Sequence, residues 1–441
     1  VRVDTTAIAS AADHRAMRSI VSMLGNLRVG ALTLTLPDGR HRVFGDVDAE
    51  LRATLDVHDW RFFRRLITGG SVGVGEAYME GDFTSDDLVS LIRIMIANRS
   101  ALKKITFGTL LNIAGDKVIH SARANRLGQS QKNIEAHYDL SNDLYELFLD
   151  ETMTYSAAYF EEPGQSLADA QRAKYRRLAE KVRLGAGDHV LEIGCGWGGF
   201  ASVAAGEYGA RVTGITLSTE QAEYARERME REGLSHLVDI RIVDYREVEG
   251  QFDRIVSIEM LEAVGHRYLD TYFEQVDRLL APDGLASIQV ITIPEQRYDA
   301  YLRRPDFIQR YIFPGGHLPS LEAMTSSMGQ NTDLYVDATE NIGMHYAETL
   351  RLWRENFLAN VVRVRELGFD ERFVRMWEFY LAYCEGAFLA RYISDLQLVL
   401  TRPMNATLGT HVYGGDHAPL SEAHVADRLR VVTLPADEHV A

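Results

Sequence analysis

The chain has 441 residues, 46% of them hydrophobic, and a formal net charge of -16. That length accommodates one large domain with additions, or two to three domains, around a sizeable core. The acidic balance excludes a general nucleic-acid binder, which needs a basic face against phosphates, and two cysteines, Cys195 and Cys384, exclude a disulfide framework or a cysteine-rich zinc site.

Residues 1–25 carry a loose helical face (Ile8, Met17, Ile20, Val21, Leu24) and no apolar signal core. Arg28 to Leu36 alternates and runs into Pro37-Asp38-Gly39, a strand and turn, with His41 to Phe44 as its return partner. Leu51 to Thr68 reads as strand then helix. Gly69 to Gly75 reads as a tight structural loop, since no Lys-Ser/Thr follows to make it a phosphate site. Asp86 to Asn98 is an amphipathic helix capped by Ser85 or Asp86.

Between Asn98 and Lys132 the charge reverses. Arg99, Lys103, Lys104, Lys117, Arg123, Arg126 and Lys132 face the single acid Asp116, with Leu102, Ile105, Phe107 and Leu110 interleaved. Two readings stay open: a segment lying on an anionic membrane surface, or an interdomain helix. No apolar run approaches 18 residues, so any contact with lipid is expected from the surface. The polar run 128–133 marks a boundary. The expected domains are 1–125 for lipid docking and dimerisation, 126–403 for catalysis, and a tail, 404–441.

The helix Leu167 to Val182 leads into the most informative stretch, Val190-Leu191-Glu192-Ile193-Gly194-Cys195-Gly196-Trp197-Gly198-Gly199-Phe200. It reads as a buried strand, a glycine turn and a helix. Gly194, Gly196 and Gly199 also satisfy the dinucleotide pattern G-x-G-x-x-G, but the second strand, Arg211 to Leu217, ends without a ribose-binding acid. The third, Val238 to Val243, ends in Asp244-Tyr245. An acid on the first strand, glycines after it and an acid closing the third point to an S-adenosylmethionine pocket; a generic glycine turn and a nicotinamide site are the alternatives. Helix Ser218 to Glu232, strand Phe252 to Met260, helix His266 to Leu280, a turn at Pro282-Asp283-Gly284 and strand Leu285 to Ile293 continue the alternation. The expected fold is α/β: a doubly wound, mostly parallel, Rossmann-like sheet with a smaller N-terminal α+β domain.

Residues 294–330 are too long for a βα loop and read as a substrate-covering insertion. Tyr346, Leu350, Trp353, Phe357 and Val361 recur at helical spacing, as do Phe373, Met376, Trp377, Tyr380 and Tyr383. They form either core or the wall of a greasy channel. A strand near Leu334 to Thr339 pairs with a last strand, Asp395 to Arg402, to give an antiparallel edge. His137, His266, His317 and His345 lack metal-ligand spacing, so no metal is expected.

Several segments together resemble the cyclopropane fatty acid synthases: His137-Tyr138-Asp139-Leu140-Ser141-Asn142-Asp143, Tyr155-Ser156-Ala157-Ala158-Tyr159, the glycine stretch from Glu192, Thr216-Leu217-Ser218-Thr219-Glu220-Gln221, Glu259-Met260-Leu261-Glu262-Ala263-Val264-Gly265 and Tyr311-Ile312-Phe313-Pro314-Gly315-Gly316. The resemblance spans about residues 65 to 402. It implies a class I methyltransferase that modifies a double bond within an unsaturated phospholipid acyl chain. The two cysteines fit a reducing cytoplasm, and the expected placement is peripheral, at the inner membrane surface, with the N-terminal domain able to support a homodimer. The resemblance also implies that Tyr138, Tyr155, Ser156, Gly194 and Gly196 hold S-adenosylmethionine, with Thr216, Gln221, Asp244 and Tyr245 around the adenosine; Glu192 joins them from the residue reading.

The catalytic expectation follows from the chemistry. An alkene is a weak nucleophile, so it must be aligned with the methyl group away from water, and the resulting carbocation must lose a proton to a base. The resemblance implies a bicarbonate base held by Cys, Glu, His and Tyr. Here Glu262 keeps the Glu position, while Ala157, Gln289 and Arg354 stand at the Cys, His and Tyr positions; Glu262 or Tyr346 could then act directly. A cyclopropane is the first product expected. A methyl-branched or methylene chain is the alternative, and a silent lipid binder or a small-molecule methyltransferase lies outside both.

Overall fold

A computed structural model describes residues 10–102 and 141–408. The first unit begins with α1 (Ala11–Leu24), whose start is held by a capping box between Ser10 and Asp13. Strands β1 (Ala31–Thr35), β2 (His41–Gly45), β3 (Arg52–Val57) and β4 (Phe83–Thr84) form a sheet in the order β2-β1-β3-β4. Helix α2 (Arg61–Met79) joins β3 to β4, and α3 (Leu88–Ala97) follows.

Two local expectations change here. The stretch 69–75 is not a loop: α2 runs through it, kinked at Gly70, whose φ is 55°. Close packing explains the glycines better than a turn does. A Cβ at Gly73 would lie 2.1 Å from the Arg65 carbonyl oxygen, and one at Gly75 would lie 2.1 Å from the Phe307 ring. The cap of α3 is Asp87, whose side chain accepts from the Ser90 N–H; Asp86 instead accepts from the backbone and hydroxyl of Thr54.

The larger sheet has seven strands in the order β10-β11-β9-β8-β5-β6-β7. In chain order it comprises α4 (Leu167–Lys181), β5 (His189–Ile193), α5 (Gly199–Tyr208), β6 (Arg211–Thr216), α6 (Thr219–Arg231), β7 (Val238–Ile242), β8 (Phe252–Ile258), α7 (Leu269–Leu279), β9 (Leu280–Thr292), α8 (Glu295–Tyr301), α9 (Leu321–Asn331), β10 (Tyr335–Asn341), α10 (Gly343–Ala359), α11 (Glu371–Leu389) and β11 (Ser394–Thr401). Strands β5 to β9 are parallel to one another, and β11 runs against β9 and β10. The doubly wound α/β fold is as expected, with β10 and β11 as its antiparallel edge. Strand β9 starts earlier than expected. Its register with β8 jumps from Leu280 to Leu285, so Pro282-Asp283-Gly284 bulge out of a strand instead of closing a turn.

The alternation of side chains across a strand divides the core. Val190 and Val212 pack with Phe200, Ala204 and Ala225 on one face; Leu191 and Ile215 pack with Phe273, Val276 and Met324 on the other. A third cluster joins the N-terminal unit to α10 and α11 through Phe63, Trp353 and Trp377. A Cβ at Gly386 of α11 would lie 2.9 Å from Ile92 of α3, so this junction depends on a bare backbone. No helix among the described residues is long and apolar enough to cross a membrane.

The glycines of α2 supply a test. Gly75→Ala forces a methyl into the Phe307 ring and is expected to lower the unfolding free energy by about 1–3 kcal/mol. Gly69→Ala has no atom within 4 Å of the new Cβ and is expected to be neutral or slightly stabilising. Urea midpoints for the two variants measure the difference.

Candidate active site

Two cavities meet at the C-terminal ends of the parallel strands, where ligands of open α/β sheets bind. The first is lined by Tyr155, Ser156, Glu192, Gly194, Gly196, Thr216, Gln221, Tyr245 and Glu259. Gly194 ends β5 at φ 84°, and a Cβ there would lie 2.8 Å from Met260. The chain can thus turn under a ligand with only backbone exposed. Helix α6 is capped by Ser218, which accepts from the Gln221 N–H, and the Thr216 hydroxyl donates to Gln221 Oε1 at 2.8 Å.

This cavity fits S-adenosylmethionine. Glu192 is 3% exposed, and its Oε2 has no hydrogen-bond partner. Burial pushes its carboxyl well above the ordinary range, opposed chiefly by Lys174. A buried, unsatisfied acceptor beside a glycine floor and two tyrosine rings suits a ligand with an ammonium, hydroxyls and a sulfonium. Asp244 does not reach the cavity: Arg246 engages its carboxylate through Nε at 2.8 Å and Nη2 at 2.5 Å. Tyr138 lies outside the described residues.

The second cavity has an empty volume of about 1390 Å³, part of it open to solvent. Ile291, Ile293, Ile308, Phe313, Leu350 and Phe388 give it an apolar wall, and Tyr155, Glu259 and Ala263 line both cavities. Much of this wall comes from residues 294–318 and from α10 and α11.

At the junction stands Glu259, immediately after β8, in the left-handed backbone region at φ 49°. Its Oε1 accepts from the Ala157 N–H and from Gln289 Nε2, each at 2.8 Å, and its Oε2 accepts from the Tyr346 hydroxyl at 2.8 Å. Burial raises its pKa, and the Ala157 N–H leads the groups that oppose the rise. Asp395 lies behind, with its Oδ2 accepting from Gln289 Nε2 at 3.1 Å; burial and then the charge of Glu259 drive its carboxyl well up. Glu262 Oε1 accepts from the Ile291 N–H at 2.5 Å, while its Oε2 is buried without a partner. Burial, then the charge of Glu259, pushes Glu262 up to about 8.

The buried cation at this cluster is Lys174, whose Nζ donates to Ser156 Oγ at 2.7 Å; burial pushes it down to about 8. Lys174 faces Glu259, Asp395, Asp150 and Glu192, with Glu262 next to Glu259, and these acids cannot all ionise beside one lysine. Glu259, with three donors, holds the charge ahead of Asp395.

The expected catalytic residues therefore divide. Glu262 and Tyr346 line the second cavity. Gln289 is fully buried and reaches it only through Glu259. Arg354 points elsewhere and donates to Glu385 at 2.9 Å. Sequence reasoning did not assign Glu259 a role, although an acid just after a central parallel strand was a usable signal. Lys174 was also missed; its signal was a lysine in phase with Ala170, Gln171, Tyr175 and Leu178, all buried on α4.

Comparison with known proteins gives the same direction. The family described as mycolic acid cyclopropane synthetase matches residues 125–398. The tuberculostearic acid methyltransferase UfaA1 of Mycobacterium tuberculosis is 42% identical over 346 residues, 77% of this chain and 81% of that protein. The cyclopropane-fatty-acyl-phospholipid synthase of Escherichia coli is 38% identical over 357 residues, 81% of this chain and 90% of that protein. Among solved structures, the mycolic acid cyclopropane synthase CmaA1 complexed with SAH and CTAB superposes with a TM-score of 0.58 at 33% identity, covering 62% of this chain and 98% of that one.

The carboxyl of Glu262 predicts a pH effect on stability. Its pKa is raised in the folded state, so the native protein keeps the proton that the unfolded chain releases. Stability is then lost as pH rises from the ordinary glutamate range toward about 8, by at most ~1.4 kcal/mol per pH unit. Glu262→Gln removes this loss. Denaturant unfolding at several pH values should show a flatter dependence for the variant and a relative gain at the upper end.

Proposed function

Because the chain belongs to the mycolic acid cyclopropane synthetase family and is an S-adenosylmethionine-dependent fatty acyl methyltransferase, we propose that it methylates the double bond of an unsaturated phospholipid acyl chain with Glu259 as the base. The observation that carries this reading is the bonding of Glu259 to Ala157, Gln289 and Tyr346 where the two cavities meet.

S-adenosylmethionine, when bound, supplies an electrophilic methyl group. Tyr155, Ser156, Glu192, Gly194, Gly196, Thr216, Gln221 and Tyr245 hold it on one side of Glu259, and the apolar cavity aligns the alkene on the other. Excluding water protects the acyl carbocation, and the tyrosine and phenylalanine faces favour its charge. Glu259 then takes a proton. Taken from a chain carbon, that proton leaves a methyl-branched alkene; taken from the new methyl, it closes a ring through a new C–C bond or, after a hydride shift along the chain, leaves a methylene.

A bicarbonate does not fit here. The Ala157 N–H, the Gln289 amide and the Tyr346 hydroxyl are already engaged by Glu259, the position expected to be cysteine is Ala157, and a second anion would sit among three acids. No step is therefore assigned to bicarbonate. This altered base, together with the 42% identity to a protein named a methyltransferase, supports a methyl-branched or methylene product without ring closure. Ring closure is the second reading. It is favoured by the position of Glu259 beside both cavities, where the transferred methyl must cross, and by the 38% identity to a cyclopropane synthase.

Mass spectrometry of acyl chains formed from methyl-deuterated S-adenosylmethionine tests both readings. A chain that keeps all of the label is a branched alkene; loss of one deuterium means methylene or ring, which fragmentation separates, and a ring would sink the favoured product. Glu259→Gln is expected to cut turnover by about 10²–10⁴-fold while S-adenosylmethionine still binds. Activity that requires added bicarbonate would refute the base assignment.

The basic stretch after α3 falls almost wholly outside the described residues. We read it as the part that meets an anionic membrane surface. Charge reversal at Lys103, Lys104 and Lys117 is expected to weaken binding to anionic vesicles, with the wild-type advantage shrinking as salt is raised. Cosedimentation at two ionic strengths measures it.

A further inference from the structure

The proposed reaction leaves one proton per turnover inside a cavity walled by apolar side chains. The acids there are already too many for Lys174, so the proton has to reach solvent before Glu259 can act again. Tyrosine and histidine side chains mark one way out.

His317 is 5% exposed and lines the second cavity beside Glu262, whose backbone carbonyl accepts from the His317 N–H at 2.8 Å. On its other side His317 Nε2 is 3.0 Å from the Tyr298 hydroxyl. The same hydroxyl is 2.8 Å from Nδ1 of His266, which is exposed on the surface. The three rings pack together, with centroids 5.5 to 5.7 Å apart. Holding S-adenosylmethionine or aligning an alkene calls for none of them. Burial pushes the Tyr298 phenol up, so it can exchange protons without resting as a phenolate.

We propose that His317, Tyr298 and His266 form a relay that carries the reaction's proton from the acyl cavity to bulk water. The inference goes beyond the methyltransferase reading and rests on its claim that a proton is released in this cavity. Glu262 is the inner partner. Its Oε1 accepts from the Ile291 N–H, so its carboxyl proton sits on Oε2; Oε2 passes that proton toward His317 and then takes the next one from Glu259. His317, with hydrogen on Nε2, takes the arriving proton on Nδ1. The Nε2 proton moves to the Tyr298 oxygen as the phenol's own proton moves to His266 Nδ1. One O–H bond forms and one breaks at Tyr298, and His266 gives its Nε2 proton to water. Reorientation of the Tyr298 hydroxyl and proton exchange at the two imidazoles restore the starting tautomers. His317, Tyr298 and His266 act on the substrate through the acids and are positioning residues for proton flow.

The test separates the first turnover from those that follow. Wild type, Tyr298→Phe and His266→Ala are loaded with radiolabelled S-adenosylmethionine and mixed with vesicles of unsaturated phosphatidylglycerol. Each variant is expected to keep its first-turnover rate within about twofold while its steady-state rate falls roughly tenfold or more. Added imidazole should restore His266→Ala at the exposed end and leave Tyr298→Phe slow. A parallel fall of both phases, absence of rescue or an unchanged steady state would each overturn the relay. Wild-type protein that binds S-adenosylmethionine but labels no lipid in the first turnover would instead remove the methyltransferase reading beneath it.

Discussion

Among the described residues, Glu192, Glu259, Glu262 and Asp395 are buried around one buried lysine, Lys174, and much of the site follows from that shortage of positive charge. Each acid has to lose its charge or find donors. Glu259 finds three, and they come from parts of the chain far apart in sequence: the Ala157 backbone before α4, Gln289 on β9 and Tyr346 on α10. The backbone at Glu259 is left-handed, a conformation that costs of order 1–3 kcal/mol in a non-glycine residue. Three hydrogen bonds to a carboxylate offset a cost of that size. The turn after β8, the β9–β11 register and the pitch of α10 therefore have to be right together for one side chain to face both cavities.

The same dependence explains which parts were legible in the sequence. Strands β5 to β9 announce themselves by apolar runs between glycines and helix caps, which are local signals. The glycine floor, Thr216 and Gln221 are local too, since each lies at the end of one strand. Glu262 and Tyr346 were identified as candidate bases and do line the cavity. Glu259 was not, because its role depends on a backbone twist and on strand pairing. Gln289 stands opposite Gln397, and Ile291 opposite Asp395, only through the antiparallel register of β9 and β11. Arg354 failed for a helical reason. It lies eight residues after Tyr346, about 80° around α10, which turns it from the cavity toward Glu385. The glycines of 69–75 look like a loop because glycine usually marks one; only the approach of Phe307, more than 200 residues away, reveals packing.

That approach ties the N-terminal unit to the chemistry. Phe307 begins the turn carrying Ile308, Gln309 and Phe313 into the cavity wall, and its ring lies on the bare backbone of Gly75. The Tyr311 hydroxyl donates to Glu76 one residue on, at 2.6 Å. Helix α2 thus holds the covering segment from outside, as α3 holds α11 through Gly386 and Ile92. The amino-terminal unit serves as a brace for the second cavity.

An apolar wall and a buried acid cluster also need each other in the proposed reaction. A carbocation is quenched by water, so the wall has to be dry; a dry wall raises the pKa of every acid in it, which makes a carboxylate a stronger base when it is ionised. Too many donors would stabilise Glu259 as an anion and weaken it as a base, and too few would leave it protonated. Three donors, with Lys174 held one hydrogen bond away on Ser156, fall between those limits. A base tethered to the chain has a further consequence. A free anion can be lost and rebound with each turnover, whereas Glu259 stays and must itself be deprotonated. The cavity must then provide a path for protons as well as for methyl groups and lipid, and the polar side chains that interrupt its apolar lining beyond Glu262 are placed where such a path would run.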